Sequence, residues 1–148
     1  MEAKKYIDSS DFVPDSVTNH MVRDRLSQSD VQNGFLLDGY PRTIAQVSYL
    51  DQLLGDREQK LDVVLKLSVD DQEIVSRLLG RAKETSRSDD REAVIRHRLE
   101  LYHEQTEVVT ERYEERLILM QVDGTGSVDE VMTRALQAVR ITQNVCSL

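Results

Sequence analysis

An acid, a glycine turn, a proline and an arginine follow one another at Asp38-Gly39-Tyr40-Pro41-Arg42, directly after the apolar run Phe35-Leu36-Leu37. A carboxylate at the end of a buried strand suits a Mg²⁺ ion held through its waters, as phosphate-transfer sites require. Asp-Gly is also ordinary turn material, so at this level both readings of Asp38 stand. Arg42 falls where a helix would begin. A helix start attracts anions, and a guanidinium grips phosphate in a two-pronged fork. Without an anion, a cation there opposes the helix dipole.

Four further arginines bear on the same chemistry. Arg77 and Arg81 are one turn apart on a helical segment and repel unless a polyanion joins them, although Glu73 one turn before Arg77 also permits a plain solvated face. Arg98 lies within the stripe formed by Val94, Ile95, Leu99 and Tyr102, and a cation on a core-facing side needs a partner or a ligand. Arg87 precedes Asp89-Asp90, two acids placed to start a helix. The chain has 19 basic against 27 acidic residues and a net charge of −8. Arginines gathered near strand ends in so acidic a protein point to a small, phosphate-rich ligand rather than to nucleic acid or a membrane surface.

Other chemistries find no support. His20, His97 and His103 have no metal-site spacing, since 97 and 103 fall on different helix faces. No G-x-S-x-G, H-E-x-x-H or G-x-G-x-x-G string occurs. Cys146 stands alone, so it can form neither an internal disulfide nor a thiolate cage.

The elements that must carry these residues alternate. Phe35–Leu37, Asp62–Val69 and Leu117–Val122 are short apolar runs ended by turn residues, and they read as strands buried on both faces of a parallel sheet. Helical spacing fills Ala3–Asp8, Asp15–Leu26 after Pro14, Thr43–Leu54, Asp70–Arg81, Asp89 to about Glu115, and Ser127–Arg140 with its capping box Ser127-Val128-Asp129-Glu130. Residues 141–148 read as a tail. Strand, helix, strand, helix, helix, strand, helix predicts an α/β layer, with ligands beyond the carboxyl ends of its strands. A length of 148 residues with 39% hydrophobic composition suits one domain. There is no run of 18 apolar residues and no apolar stretch in the opening MEAKKYIDSSDF, so a cytoplasmic location is expected.

The string Gly34-Phe35-Leu36-Leu37-Asp38-Gly39-Tyr40-Pro41-Arg42-Thr43, with Gln46 after it, closely resembles the signature of the adenylate kinases. The resemblance continues through Gly80-Arg81, Ser86 to Asp90, Arg96 to Tyr102 and Val122 to Thr125. It implies a transferase of nucleotide biosynthesis that interconverts ATP plus AMP with two ADP, using Mg²⁺ and acting as a monomer. Residues 1–26 would be the remnant of its AMP-binding helices, and residues 82–88 a short lid. AMP would contact Asp11, Phe12, Val13, Gly39, Tyr40, Pro41 and Arg42, with Gln46 reading the adenine edge, since glutamine donates and accepts together. Arg87 and Arg98 would clamp the transferring phosphoryl, Arg77 and Arg81 would face ATP, and the backbone of Gly126 would lie near its adenine. Asp38 would hold the Mg²⁺ water shell, and Asp89 and Asp90 would help close the lid. Positioning and charge neutralisation are what phosphoryl transfer asks for.

One departure stands out. No G-x-x-x-x-G-K-[ST] occurs, whereas the family opens with a strand, that phosphate-cradling loop and a helix. The expected fold is therefore a P-loop-kinase-like parallel sheet with flanking helices, lacking its first, central strand and its P-loop. Two alternatives accompany the enzyme: a fragment that binds AMP without transfer, and an interaction protein that completes its sheet with another chain or associates with itself through the open edge.

Overall fold

The computed structural model describes residues 13–85 and 92–145, and the chain divides into two compact units, Met1–Lys60 and Leu61–Leu148.

The first unit is helical. α1 (Asp15–Leu26) starts behind Pro14, whose carbonyl accepts from the backbone N–H groups of Val17 and Thr18. Arg23 and Arg25 in its last turn complement the negative end of the dipole. Arg25 then grips Asp30 with two bonds of 2.9 and 2.8 Å, tying the helix end to the 3₁₀ turn Ser29–Asn33. α2 (Ile44–Gly55) packs on α1 and buries Val47, Leu50 and Leu54, spaced i, i+3, i+7, while α1 contributes Leu26. Arg57 closes the unit by donating to the carbonyl of Leu26.

The second unit is α/β. β1 (Val64–Ser68) is followed by α3 (Asp71–Thr85), α4 (Glu92–Leu101), a π-helical turn (Tyr102–Thr106), α5 (Glu107–Glu115), β2 (Leu119–Asp123) and α6 (Val128–Val145). The strands pair in parallel, from Val64 opposite Leu119 to Ser68 opposite Asp123. Both carboxyl ends thus lie side by side, as the alternating pattern requires. The buried set is Val75, Ile95, Val109, Tyr113, Val122 and Ala138. The helix expected from Asp89 to about Glu115 is α4, the π turn and α5 over the described residues. The capping box of α6 forms as spelled: Ser127 N–H donates to Glu130 Oε2 at 2.8 Å, and Glu130 N–H donates to Ser127 Oγ at 3.4 Å.

Three expectations need correction. Phe35–Leu37 is not a strand, and Leu36 is 84% exposed. An apolar run becomes a strand only where a neighbour supplies its hydrogen bonds, and the described sheet has two strands, β1 and β2. Those strands are not buried on both faces either: Leu67 is 54% exposed, because a two-stranded sheet covered by few helices leaves apolar surface open. Finally, Ile141–Val145 continues α6 rather than forming a tail, since neither glycine nor proline interrupts it. Ala3–Asp8 and residues 146–148 lie outside the described residues.

Candidate active site

The turn leading into α2 folds around one side chain. Thr43 caps the helix in an extended backbone conformation, its Oγ1 accepting from the Gln46 N–H at 3.2 Å. Thr43-x-x-Gln46 has the spelling of a capping box, but the glutamine reaches one residue further back: its Oε1 accepts from the backbone N–H of Arg42 at 2.7 Å. Its Nε2 donates to Asp15 Oδ1 at 2.7 Å, while the other oxygen of Asp15 accepts from the Thr43 hydroxyl at 2.8 Å. Gln46 is 5% exposed, a buried amide with both ends engaged.

Around it, Gly39 takes a positive φ of 71° and the Tyr40–Pro41 peptide is cis. Arg42 folds back so that its Nε donates to the Gly39 carbonyl at 2.7 Å, and a Cβ on Gly39 would stand 2.7 Å from Arg42 Nη2. Tyr40 is held by its hydroxyl, which donates to Asn19 Oδ1 at 2.7 Å. Asp38, Gly39, Tyr40, Pro41, Arg42 and Gln46 therefore form one turn, with Arg42 and Asp38 exposed and Gln46 beneath. Val13 leads into α1, whereas Asp11 and Phe12 lie outside the described residues. Asp15, Asn19 and Thr43 escaped the reading of the sequence. The T-x-x-Q spelling could have exposed Thr43, but no local signal pairs Asp15 with a residue 31 positions away.

In the second unit, the loop after β2 is the organised feature. Asp123 Oδ1 accepts from the backbone N–H and hydroxyl of Thr125, at 2.9 and 2.7 Å. Those bonds, the hydroxyl's above all, hold the Asp123 carboxyl below the usual carboxylate range, with help from Arg134 at 3.1 Å. Arg134 also donates to the carbonyls of Asp123 and Thr125. Gly124 donates its N–H to the Ser68 carbonyl at 2.9 Å, and a Cβ there would meet Val69 Cγ2 at 2.6 Å, so the close approach of the strand ends requires glycine. Gly126, at φ 97°, sits against Glu130 and Arg134. Arg77 of α3 donates to the Gly124 carbonyl at 3.2 Å and pairs with Glu73. It thus combines the expected solvated ion pair with a tie to the loop. Arg81 is half-buried and engaged. Arg134 was missed, because its contacts span nine and eleven residues and follow no local pattern.

Arg98 corrects the sequence reading. It is exposed, not core-facing. Ile95 is the buried centre of that helix and Val94 only half-buried, so Arg98 lies about 60° round the helix from Ile95, on the flank, where a long side chain reaches water. Arg87, Asp89 and Asp90 lie outside the described residues. His103 is engaged: its Nε2 lies 2.9 Å from Asp71 Oδ2, and Glu107 is 3.5 Å from its Nδ1. The Asp71 hydrogen bond chiefly raises the His103 pKa. Among the described residues no group of three or more His, Cys, Asp or Glu side chains could hold a metal ion, and no helix is long and apolar enough to cross a membrane.

The second unit is a parallel α/β layer whose two strand ends abut a glycine-bearing loop, the edge at which open α/β sheets bind ligands. The family model described as adenylate kinase matches residues 1–118. Curated relatives named adenylate kinase include that of Pseudarthrobacter chlorophenolicus, 70% identical over 97% of this chain and 74% of its own length. Those of Renibacterium salmoninarum and Kocuria rhizophila are 64% and 59% identical over 94% and 93% of this chain, covering 72% and 73% of their own lengths. The chain belongs to the adenylate kinase family: it is a nucleotide-binding phosphotransferase of the kind that interconverts ATP plus AMP with two ADP.

Proposed function

We propose that the first unit is the AMP-binding half of this enzyme and the second unit carries the ATP-facing residues. The observation that supports this most is the Gly39–Gln46 turn, where a buried amide with adenine-type hydrogen-bonding capacity lies beneath an exposed arginine. Gln46 reads the base, Arg42 takes the phosphate, and the backbone of residues 11–13 and 39–41 lines the nucleotide. Arg77 and Arg81 face the donor phosphates, and the loop braced by Arg134 presents the backbone of Gly126 to the donor base. Arg87 and Arg98 neutralise the transferring phosphoryl, with Asp89 and Asp90 serving the short lid at 82–88.

Asp38 suits Mg²⁺ as an exposed, hard oxygen donor acting through water. With no cluster of three ligands among the described residues, the donor set fits an ion that arrives on phosphates and keeps its waters, not one in a protein cage. When bound, Mg²⁺ supplies charge neutralisation on the phosphates. The side chains do the rest by orientation: Arg42 holds one anion, and the engaged Gln46 fixes the base at the other end of the same nucleotide.

In this reading the parallel β1–β2 pair belongs to a sheet of P-loop-kinase type. The Gly39–Gln46 turn is braced entirely by residues of the first unit, which favours a second reading, AMP binding without transfer. ADP formation from AMP and MgATP, measured beside an Arg42→Ala variant, separates the two. Turnover abolished by the substitution supports transfer by this chain; none above the variant, with AMP still bound, supports the second reading. A contaminating kinase would survive the substitution unchanged.

A further inference from the structure

Gln46 is pinned from both ends by groups that cannot exchange roles. The Arg42 N–H only donates, so the amide end facing it, 2.7 Å away, is the oxygen. Asp15, as a carboxylate, only accepts, so the end facing it, also 2.7 Å away, is the nitrogen. The second Asp15 oxygen is occupied by the Thr43 hydroxyl, which anchors the carboxylate to the cap of α2. The amide is thereby fixed in one polarity. One N–H and one oxygen lone pair remain to it, in a set order.

We propose that Asp15 is a specificity-determining positioning residue, which holds the Gln46 amide in the polarity that accepts a 6-aminopurine nucleotide and rejects a 6-oxopurine one. This deepens the role of Gln46 as base contact and depends on it. Adenine offers an acceptor at N1 beside a donor at N6. Hypoxanthine offers the reverse, a donor at N1 beside an acceptor at O6. A freely flipping glutamine serves both bases equally. A locked one meets adenine with two matched pairs and hypoxanthine with two repulsive ones, so discrimination comes from the mismatch as much as from the match.

The test is calorimetric binding of AMP and of inosine monophosphate to the full chain and its variants. Asp15→Ala removes the acceptor: the AMP dissociation constant rises about 5- to 10-fold, the equivalent of one hydrogen bond, and the AMP-over-inosinate ratio narrows by a similar factor. Asp15→Asn stays near the parent ratio, since its amide oxygen can still accept from Gln46. In a Gln46→Ala background Asp15→Ala has no further effect on the ratio, whereas a merely structural role would leave its effect additive. Narrowing by Gln46→Ala but not by Asp15→Ala overturns the proposal while leaving Gln46 as base contact. An unchanged ratio in Gln46→Ala itself, or no AMP binding by the parent, refutes the base contact first. If Asp15→Ala does not fold, through-hydrogen-bond couplings in the isotope-labelled parent decide: coupling of the Arg42 amide nitrogen to Gln46 Cδ and of Gln46 Nε2 to the Asp15 carboxylate carbon is the expected result, and loss of both refutes the proposal.

Discussion

Replacing Thr43 with valine keeps the shape of the side chain and removes only its hydroxyl, which makes two bonds. It accepts from the Gln46 N–H at 3.2 Å and donates to Asp15 Oδ2 at 2.8 Å. Losing a threonine cap costs about 1 kcal/mol, and valine is among the poorest caps. The bond to Asp15 adds about 0.5–1 kcal/mol, at the low end for a charged acceptor because both residues are half-buried and water can replace the hydroxyl. The expected loss is about 1.5–2 kcal/mol, all of it in the first unit. Urea unfolding followed by far-ultraviolet circular dichroism reads the total. Amide hydrogen exchange localises it: Gln46 and the first turn of α2 should lose roughly ten- to thirty-fold protection, while β1 and β2 keep theirs. Thr43→Ser, which retains the hydroxyl, should stay within about 0.5 kcal/mol of the parent. A valine variant equally close to the parent, or a loss of protection spread evenly over both units, would show that the cap does not organise this turn.

Acid and alkali should weaken the second unit for different reasons. Asp123 and Glu130 have folded pKa values depressed chiefly by hydrogen bonds from Thr125 and from the Ser127 backbone, so their contribution is present above the ordinary carboxylate range and is lost as pH falls through the depressed values. His103 has a raised value, so its contribution is complete below its ordinary value of about 6.5 and disappears as pH rises through the folded one. Urea midpoints across pH 3–9 should drop at the acid end and decline gently above neutrality, and a His103→Gln variant that kept the alkaline decline would contradict the assignment. Gly39→Ala should cost about 1–2 kcal/mol for its left-handed backbone. Its Cβ would stand 2.7 Å from Arg42 Nη2, the far end of an exposed side chain that can move aside, so urea unfolding rather than affinity reads the effect, and a variant as stable as the parent would contradict the strain at this position.

What the sequence disclosed was what its own neighbours decide. The start of α1 behind Pro14, the cap of α6 at Ser127 and the apolar spacing of α2 are settled within one or two turns, and each stands as read. Phe35–Leu37 has strand composition but no strand, because strand pairing is decided by a neighbour elsewhere in the chain. Arg98 shows the limit of reading a stripe: the wheel placed it among apolar residues but did not say which of them was the buried centre. In the candidate site Asp38 and Arg42 were singled out as candidates by residue type, and both lie exposed on one turn. The bracing residues Asp15 and Arg134 were not, since both act across the fold on backbone or amide groups that carry no signal of their own.

That division has an energetic consequence within the Gly39–Gln46 turn. Arg42 is exposed, and the side-chain bond to the Gly39 carbonyl is one that water can replace, so its loss should cost little stability. Gln46 is buried and supports the backbone N–H of Arg42 as well as Asp15, so its removal leaves polar groups unpartnered at a helix end. On the proposed roles, phosphate binding and folding are thus separable in this turn, whereas base recognition and folding share one amide. Substitutions at Gln46 are therefore expected to trade specificity against stability, and affinity measurements there become interpretable only when paired with unfolding data. On the same roles, Arg42→Ala reads the ligand without reading the helix.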